Sequence, residues 1–360
     1  LSEENFNEAY AFAKSKGILT DDILLGQANL YQEMQEYKKA LNAYDELIHT
    51  FSQSQRITDA YLGKANVQYL TGEYDQAIQT YEELIAQFSD IQDNDEVIQK
   101  AYFGLAWSQL KSGDIDASIK TFETIKDSTQ NDVVKISALT QIGDAYQDIG
   151  EFQKAIQIYD QLLVDNPSSP YTDYIQYRQG IALLKMNKIE AATLSFQSLQ
   201  VNFPNSKYLT DIKYYLAVAY YKKGDWAMAS AYINEFIMML PKDNEFLPEA
   251  HYILGLSYFN LHDYLKAEKV FQKIIKNFPH QKNMVRSAEI YIAKSQYKSG
   301  DEKEALKKFK LLVSSYPKTE IAQDALIWLG DHYLKSGEYD TAISYYHRSE
   351  EHTSELQSPC

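Results

Sequence analysis

The sequence predicts an all-α solenoid, a stack of helix-turn-helix pairs repeated along nearly the whole chain. Three observations carry this prediction. Prolines at Pro167, Pro204, Pro241, Pro279 and Pro317 are spaced by 37, 37, 38 and 38 residues. Small residues at Ala9, Ala40, Ala77, Ser118, Ala155, Ala192, Ala229, Ala267, Ala305 and Ala342 keep nearly the same beat. Twelve residues before each of these, from Ala40 onward, stands a second small residue: Ala28, Ala65, Ala106, Gly143, Gly180, Ala217, Gly255, Ala293 and Gly330.

Within one unit the pattern describes two antiparallel helices. The two small residues let the backbones approach where the helices cross. Between them lies a turn, with Gly72, Gly113, Gly150, Gly224, Gly300 and Gly337 able to take the left-handed conformation that ends a helix. His262 fills that place in its own copy and reads as a turn residue rather than a ligand. Three residues before the second small position stands Tyr37, Tyr74, Ile115, Phe152, Ile189, Trp226, Tyr264 or Tyr339. Four after it stands Tyr44, Tyr81, Phe122, Tyr159, Phe196, Ile233, Phe271, Phe309 or Tyr346. At this spacing both large residues share one face of the second helix and fill the space beside the crossing. The proline then closes that helix, since it cannot donate the next backbone bond.

A single pair cannot bury its apolar face, so neighbours must stack. The array is expected over residues 1–347, as nine pairs starting near 21, 58, 99, 136, 173, 210, 248, 286 and 323. Before them Phe6, Ala9 and Ala13 mark a lone second helix over 2–16, which implies that the array begins upstream of Leu1. Two copies depart from the pattern: Ser118 replaces alanine and Glu302 replaces the large apolar residue, and each is expected to disturb packing locally. From Arg348 through Ser358 the string reads as the translation of a common sequencing adapter. Residues 348–360 are therefore set apart as adapter-derived, and His352 and Cys360 carry no function in this reading.

Composition bounds the function. With 45% apolar and 24% charged residues the chain is ordinary for a folded protein, not a disordered one. No apolar run approaches the roughly 20 residues that span a bilayer, so this segment is not expected to insert in a membrane. The single cysteine, Cys360, allows no internal disulfide and no Cys-rich metal site. The net charge of −15 is uneven: residues 1–199 hold 15 Lys+Arg against 30 Asp+Glu, and residues 201–320 hold 18 against 13. That balance excludes a general nucleic-acid binder, which needs a strong basic face. It leaves open a plain solvated surface or a basic partner on the acidic half.

Chemistry-bearing motifs are missing. There is no Walker loop, G-x-S-x-G, H-E-x-x-H or C-x-x-C, and His49, His251, His262, His280 and His332 are scattered without a second ligand at metal spacing. Neither catalysis, nor a cofactor, nor a metal is expected.

The unit Ile142-Gly143-Asp144-Ala145-Tyr146, then Gly150-Glu151-Phe152, Ala155, Tyr159 and Pro167, resembles the tetratricopeptide repeat at every signature position. The resemblance implies a right-handed superhelical solenoid that acts as a scaffold for another protein, holding a peptide or helix in a concave groove lined by first-helix residues. Carried over by register, those positions are Asp22, Leu25, Asn29 and Gln32, then Asp59, Leu62, Asn66 and Tyr69. Asn29 and Asn66 stand where the family often holds a ligand backbone through an amide that both donates and accepts. Leu25, Leu62 and Phe103 occupy the place of the first lysine of the family's chaperone-tail clamp, so a chaperone-tail receptor is not expected.

Further along, the groove turns aromatic through Phe103, Trp107, Tyr174, Tyr177, Tyr214, Tyr221, Tyr252, Phe259 and Tyr297. Each ring is either a contact residue, offering apolar area with little entropy to lose, or core against the next repeat. The joints Asn202-Phe203-Pro204-Asn205-Ser206 and Ser315-Tyr316-Pro317-Lys318-Thr319 resemble the bacterial cell-envelope branch of the family, which includes the periplasmic Tol–Pal coordinator and the lipoprotein of the outer-membrane assembly machine. That resemblance implies a periplasmic or outer-membrane-associated scaffold, with the cytoplasm as the alternative. Two rival functions remain: the recruiting arm of a larger enzyme, and self-association through end repeats.

Overall fold

The structure, a computed structural model, describes residues 3–17, 20–89 and 95–357, and among them it contains only helices and the segments joining them. Cys360 and the side chains of Phe6, Ala9 and His352 lie outside the described residues. Helix α1 (Glu3–Ser15) comes first. The first helices of the pairs are α2 (Asp21–Glu33), α4 (Ile57–Leu70), α6 (Asp95–Ser112), α8 (Asp132–Asp148), α10 (Thr172–Lys185), α12 (Leu209–Lys223), α14 (Leu247–Asn260), α16 (Lys282–Ser299) and α18 (Glu320–Lys335). Their partners are α3 (Tyr37–Thr50), α5 (Tyr74–Phe88), α7 (Ile115–Ser128), α9 (Phe152–Asp165), α11 (Ile189–Asn202), α13 (Trp226–Met239), α15 (Tyr264–Asn277), α17 (Glu302–Ser315) and α19 (Tyr339–Gln357). The chain divides into two units, Leu1–Ala182 and Leu183–Cys360, with the division inside α10. Unit 1 holds α1 and the pairs α2/α3 to α8/α9, and unit 2 holds α11 and the pairs α12/α13 to α18/α19.

The fold class is that of the sequence reading, an all-α solenoid of helical hairpins, and the reasons for it are local. Every second helix begins at the large residue three before its small one; α17 keeps the rule with Glu302. The small residues are buried in all nine pairs. Tyr44, Tyr81, Phe122, Tyr159, Phe196, Ile233, Phe271 and Phe309 are buried too, at no more than 1% exposure, while Tyr346 is half-buried; in every pair within a unit except the last, α18/α19, one large side chain fills the space beside the crossing. Burying a side chain of this size is worth about 1.5–3 kcal/mol.

The turns are more uniform in structure than in sequence. Gln35, Asn187 and His262 take positive φ (60° to 61°) at the place where the other six pairs have glycine. In every pair the N–H of the residue after that turn position bonds back to the carbonyl five residues before it, as in Glu36 to Tyr31, Glu151 to Tyr146, Lys188 to Leu183 and Glu338 to Tyr333, at 2.8–2.9 Å. That is the closing bond of the Schellman motif. Asp114, Asp225 and Asp263 then cap the following helix by accepting from the N–H three residues on.

Two expectations are refined. The proline is not what stops the second helix. Helices α9, α11, α13, α15 and α17 each end two residues before it. Phe51 ends α3 in the same backbone conformation (φ −123°, ψ 49°) as Phe203 ends α11, with no proline following. The residue before proline already avoids the helical region, so proline reinforces a stop made one position earlier. Ser118, expected to disturb packing, is fully buried and donates its Oγ to the Ala106 carbonyl at 2.8 Å across the crossing. A small hydroxyl with an acceptor fits where alanine does.

Candidate functional site

The first helices of unit 1 present four columns at matched register. Asp22, Asp59 and Lys100 form one, Leu25, Leu62 and Phe103 the next, Asn29, Asn66 and Trp107 the third, and Gln32 and Tyr69 belong to the fourth. Between α4, α5 and α6 these columns enclose a cavity of about 450 Å³, lined by Leu62, Asn66, Tyr69, Leu70, Phe103 and Trp107, with Gln32, Tyr81, Lys100 and Gly104 completing the wall. It lies in the size range of small-ligand pockets. Leu70 and Trp107 stand exposed at 54% and 40%, so the cavity opens to solvent through apolar side chains. Trp107 is fixed in place: its Nε1–H donates to Gln141 at 3.1 Å and its ring lies 5.6 Å from that of Phe103.

The asparagines are held from beneath. The buried Tyr44 donates its hydroxyl to Asn29 Oδ1 at 2.7 Å, with Gln32 Oε1 also within reach at 2.9 Å. Tyr81 donates to Asn66 Oδ1 at 2.6 Å. This corrects the chemistry read from sequence, because an amide whose oxygen accepts from a tyrosine offers a ligand its N–H groups more than its carbonyl. The same contact, fifteen residues apart, recurs where Tyr159 donates to Asp144 at 2.6 Å and Tyr346 to Asp331 at 2.7 Å. Where the buried residue is phenylalanine or isoleucine, the matching position is Trp107, Ile181, Val218, Leu256 or Lys294. A tyrosine is used only where an acceptor stands above it, since a buried hydroxyl left unpaired is costly.

The tyrosine rings also need room. In α4 and α6 that room comes from Gly63 and Gly104: a methyl group on either would lie 2.4 Å or 2.3 Å from the Tyr44 or Tyr81 Cζ. Beside Tyr159 the place is taken by Arg178, whose Nε lies 2.8 Å from Asp144 Oδ1. Tyr174 donates to the other oxygen of Asp144 at 2.6 Å. Burial pushes the Asp144 carboxyl above its ordinary value, outweighing the Arg178 charge and the two hydroxyls that pull it down. Tyr174 is thus part of an internal network. Tyr177 is half-buried on the same helix.

In unit 2 the aromatic residues of the first helices contact one another. Tyr214 is half-buried, packs 5.5 Å from Phe236, and donates to Glu249 Oε1 at 2.7 Å. Burial and then Glu249 push its hydroxyl well above the usual tyrosine value. Tyr221 accepts from Asn260 Nδ2 at 3.1 Å. Tyr252 and Phe259 both meet Tyr291, at 5.9 Å and 5.4 Å between ring centres. Tyr297 lies edge-on to Trp328 at 5.5 Å, and its hydroxyl is 3.1 Å from His332 Nδ1.

Tyr291 and Trp328 were missed in the sequence, together with Tyr215. They stand two residues before the small position and stack on Phe271, Phe309 and Phe196 at 5.2–5.7 Å. Lys294 Nζ sits over Tyr291 at 4.7 Å and reaches Asp324 at 2.5 Å. Lys100 was missed as well, being in register but unremarkable in type, and so was Leu70, which stands in none of the four columns. No group of His, Cys, Asp and Glu that could hold a metal occurs among the described residues. No helix among them is long and apolar enough to cross a membrane.

Known proteins bear on this geometry. Profiles of the tetratricopeptide repeat match residues 25–94, 100–128 and 138–171. The chain is a tetratricopeptide-repeat protein. Residues 176–353 of this tetratricopeptide-repeat chain match the profile of YfiO, an outer membrane lipoprotein. No curated protein matches the sequence. Among solved structures, a tetratricopeptide repeat protein from Parabacteroides merdae is 13% identical, with TM-score 0.53 over 76% of this chain and 98% of that one. The C-terminal part of a repeat-containing protein from Cytophaga hutchinsonii is 16% identical, with TM-score 0.54 over 69% and 93%. The apo form of RapI is 14% identical, with TM-score 0.59 over 94% and 98%. At these identities the likeness concerns the fold alone.

Proposed function

We propose that this chain is a protein-interaction scaffold that holds an extended peptide or a helix of another protein against the first-helix face. The observation that carries the reading is the open cavity between α4, α5 and α6, where Leu62, Tyr69, Leu70, Phe103 and Trp107 offer apolar area beside the Asn66 amide. Rigid aromatic anchors of this kind supply much of the energy at protein interfaces. The likeness of residues 176–353 to an outer membrane lipoprotein family supports work in the bacterial envelope.

Site-specific crosslinking in the native host tests both parts. A photoreactive side chain at Trp107 should trap a discrete protein adduct in the envelope fraction, and one at the exposed Val164 of α9 should trap none. Adducts at Val164 with none at Trp107 would move the binding surface to the other face. Adducts confined to cytosolic proteins would end the envelope assignment.

A further inference from the structure

Unit 1 combines two features of its first-helix face with a third that belongs to the unit as a whole. The cavity wall is apolar and opens through Leu70 and Trp107. Asn66, tied to Tyr81 through its oxygen, lines that wall and keeps its N–H donors for an acceptor such as a peptide carbonyl. The charge is one-sided: residues 1–182 hold 13 Lys+Arg against 29 Asp+Glu, whereas residues 183–360 hold 22 against 21. On the face itself Asp22 and Asp59 share a single arginine, Arg56, at 2.8 Å and 4.0 Å, and the cavity's one cation, Lys100, is paired to Glu96 at 2.6 Å. A unit of this net charge attracts cations and repels anions, chiefly within about a Debye length of its surface.

We infer that unit 1 takes a basic peptide segment in extended form, with a bulky apolar side chain in the cavity and a backbone carbonyl on the Asn66 amide. The inference rests on the scaffold reading above, and its Asn66 contact is the one the family resemblance implies; what it adds is the chemistry of the partner. The apolar wall calls for the bulky side chain, the oriented amide for a carbonyl, and the acidic unit for lysine or arginine on either side. Electrostatics of this kind acts mainly on the encounter rate and on choice of partner, while the anchor sets residence.

The test uses the full chain and short fluorescent peptides in three versions: lysine-flanked with a phenylalanine anchor, glutamate-flanked with the same anchor, and lysine-flanked with serine in its place. Fluorescence anisotropy should show binding of the first, weaker by about tenfold or more for each of the others, and weakened by raising the ionic strength from about 0.05 M to about 0.5 M. Trp107→Ala should weaken the first peptide by a similar factor. Asn66→Asp is the more telling variant. It keeps an acceptor for Tyr81, as Asp144 does for Tyr159, and removes the N–H donors while adding negative charge. Several-fold weaker binding of a basic peptide by Asn66→Asp would support the carbonyl contact; unchanged or tighter binding would overturn it. If the glutamate-flanked peptide binds as well as the lysine-flanked one and Trp107→Ala abolishes both, the partner chemistry is wrong while the scaffold reading stands. If no peptide binds and Trp107 crosslinks nothing in the host, both fall.

Discussion

In unit 1 the large buried residue of the second helix is tyrosine in three of four pairs, each under an asparagine or aspartate; in unit 2 it is phenylalanine or isoleucine until the last pair. The same hairpin therefore closes its core in two chemistries. One is polar: Tyr44 and Tyr81 reach up past Gly63 and Gly104 and end on an amide at the first-helix face. The other is aromatic: Phe196, Phe271 and Phe309 each lie flat against Tyr215, Tyr291 or Trp328. The choice has consequences at the surface. A tyrosine below orients an amide above and leaves a space beside it, while a stacked ring occupies the same space. The first-helix face of unit 1 thus has an amide and a cavity, and that of unit 2 has rings already engaged with one another.

The largest effect should come from emptying the aromatic layer. Phe271→Ala removes a fully buried ring that touches Tyr252 and Tyr291, and should cost about 3–5 kcal/mol in denaturant unfolding. A cost below about 1 kcal/mol, well under the usual range for a buried ring, would mean that Tyr252 and Tyr291 collapse into the gap and that the layer is not tightly specified.

Next comes the space beside the tyrosines. Gly104→Ala places a methyl 2.3 Å from the Tyr81 Cζ and should cost about 1–3 kcal/mol, by forcing the ring out of its seat. Because that shift also breaks the Tyr81–Asn66 bond, amides in α4 should exchange faster with solvent deuterium than those of α8. Equal protection in the two helices would show that the ring moves without cost, and that the glycine is not what admits the tyrosine.

The rule that a tyrosine needs an acceptor is read from the register, and it can be exchanged between units. Phe271→Tyr places a hydroxyl fifteen residues from Leu256, which has no acceptor, and should destabilise by about 1–3 kcal/mol. Adding Leu256→Asn should recover a substantial part of that loss in a double-mutant cycle. Additive losses would break the rule and leave the pairing of Tyr81 with Asn66 as a coincidence of composition.

Much of this was legible in the sequence because period and residue size report backbone geometry directly. The small residues twelve apart, the large ones at −3 and +4, and the turn glycines all stand where the helices cross or bend. The turn was less legible at Gln35 and Asn187, because the left-handed conformation there is imposed by the closing bond and not by the residue. The face was harder to read. Asn29 and Asn66 were found by register, but what they do depends on a hydroxyl arriving from another helix. Tyr174 reads as a contact residue until Asp144 is seen to take its proton donor. Trp107 alone among the aromatic candidates is exposed, and its neighbour Leu70 has no signal in type or period.

The smallest expected effect separates the units by pH. Asp144 lies inside the polar layer of unit 1, and its carboxyl is raised because burial outweighs Arg178, Tyr159 and Tyr174; the phenylalanine layers of unit 2 have no carboxylate at the matching position. A carboxyl whose folded value exceeds its unfolded one favours the folded state when protonated. Its contribution is present below the ordinary aspartate range and is lost as the pH rises through the folded value. Protection of α8 and α9 amides, corrected for intrinsic exchange, should therefore gain on that of α15 and α16 as the pH is lowered from neutral toward the carboxylate range. Asp144→Asn, neutral throughout, should flatten that difference, although it leaves Arg178 with Asp148 alone at 3.3 Å and lowers protection at every pH. If wild type and variant lose protection in parallel on acidification, the carboxyl of Asp144 stays ionised in the fold, and Arg178 rather than burial sets its state.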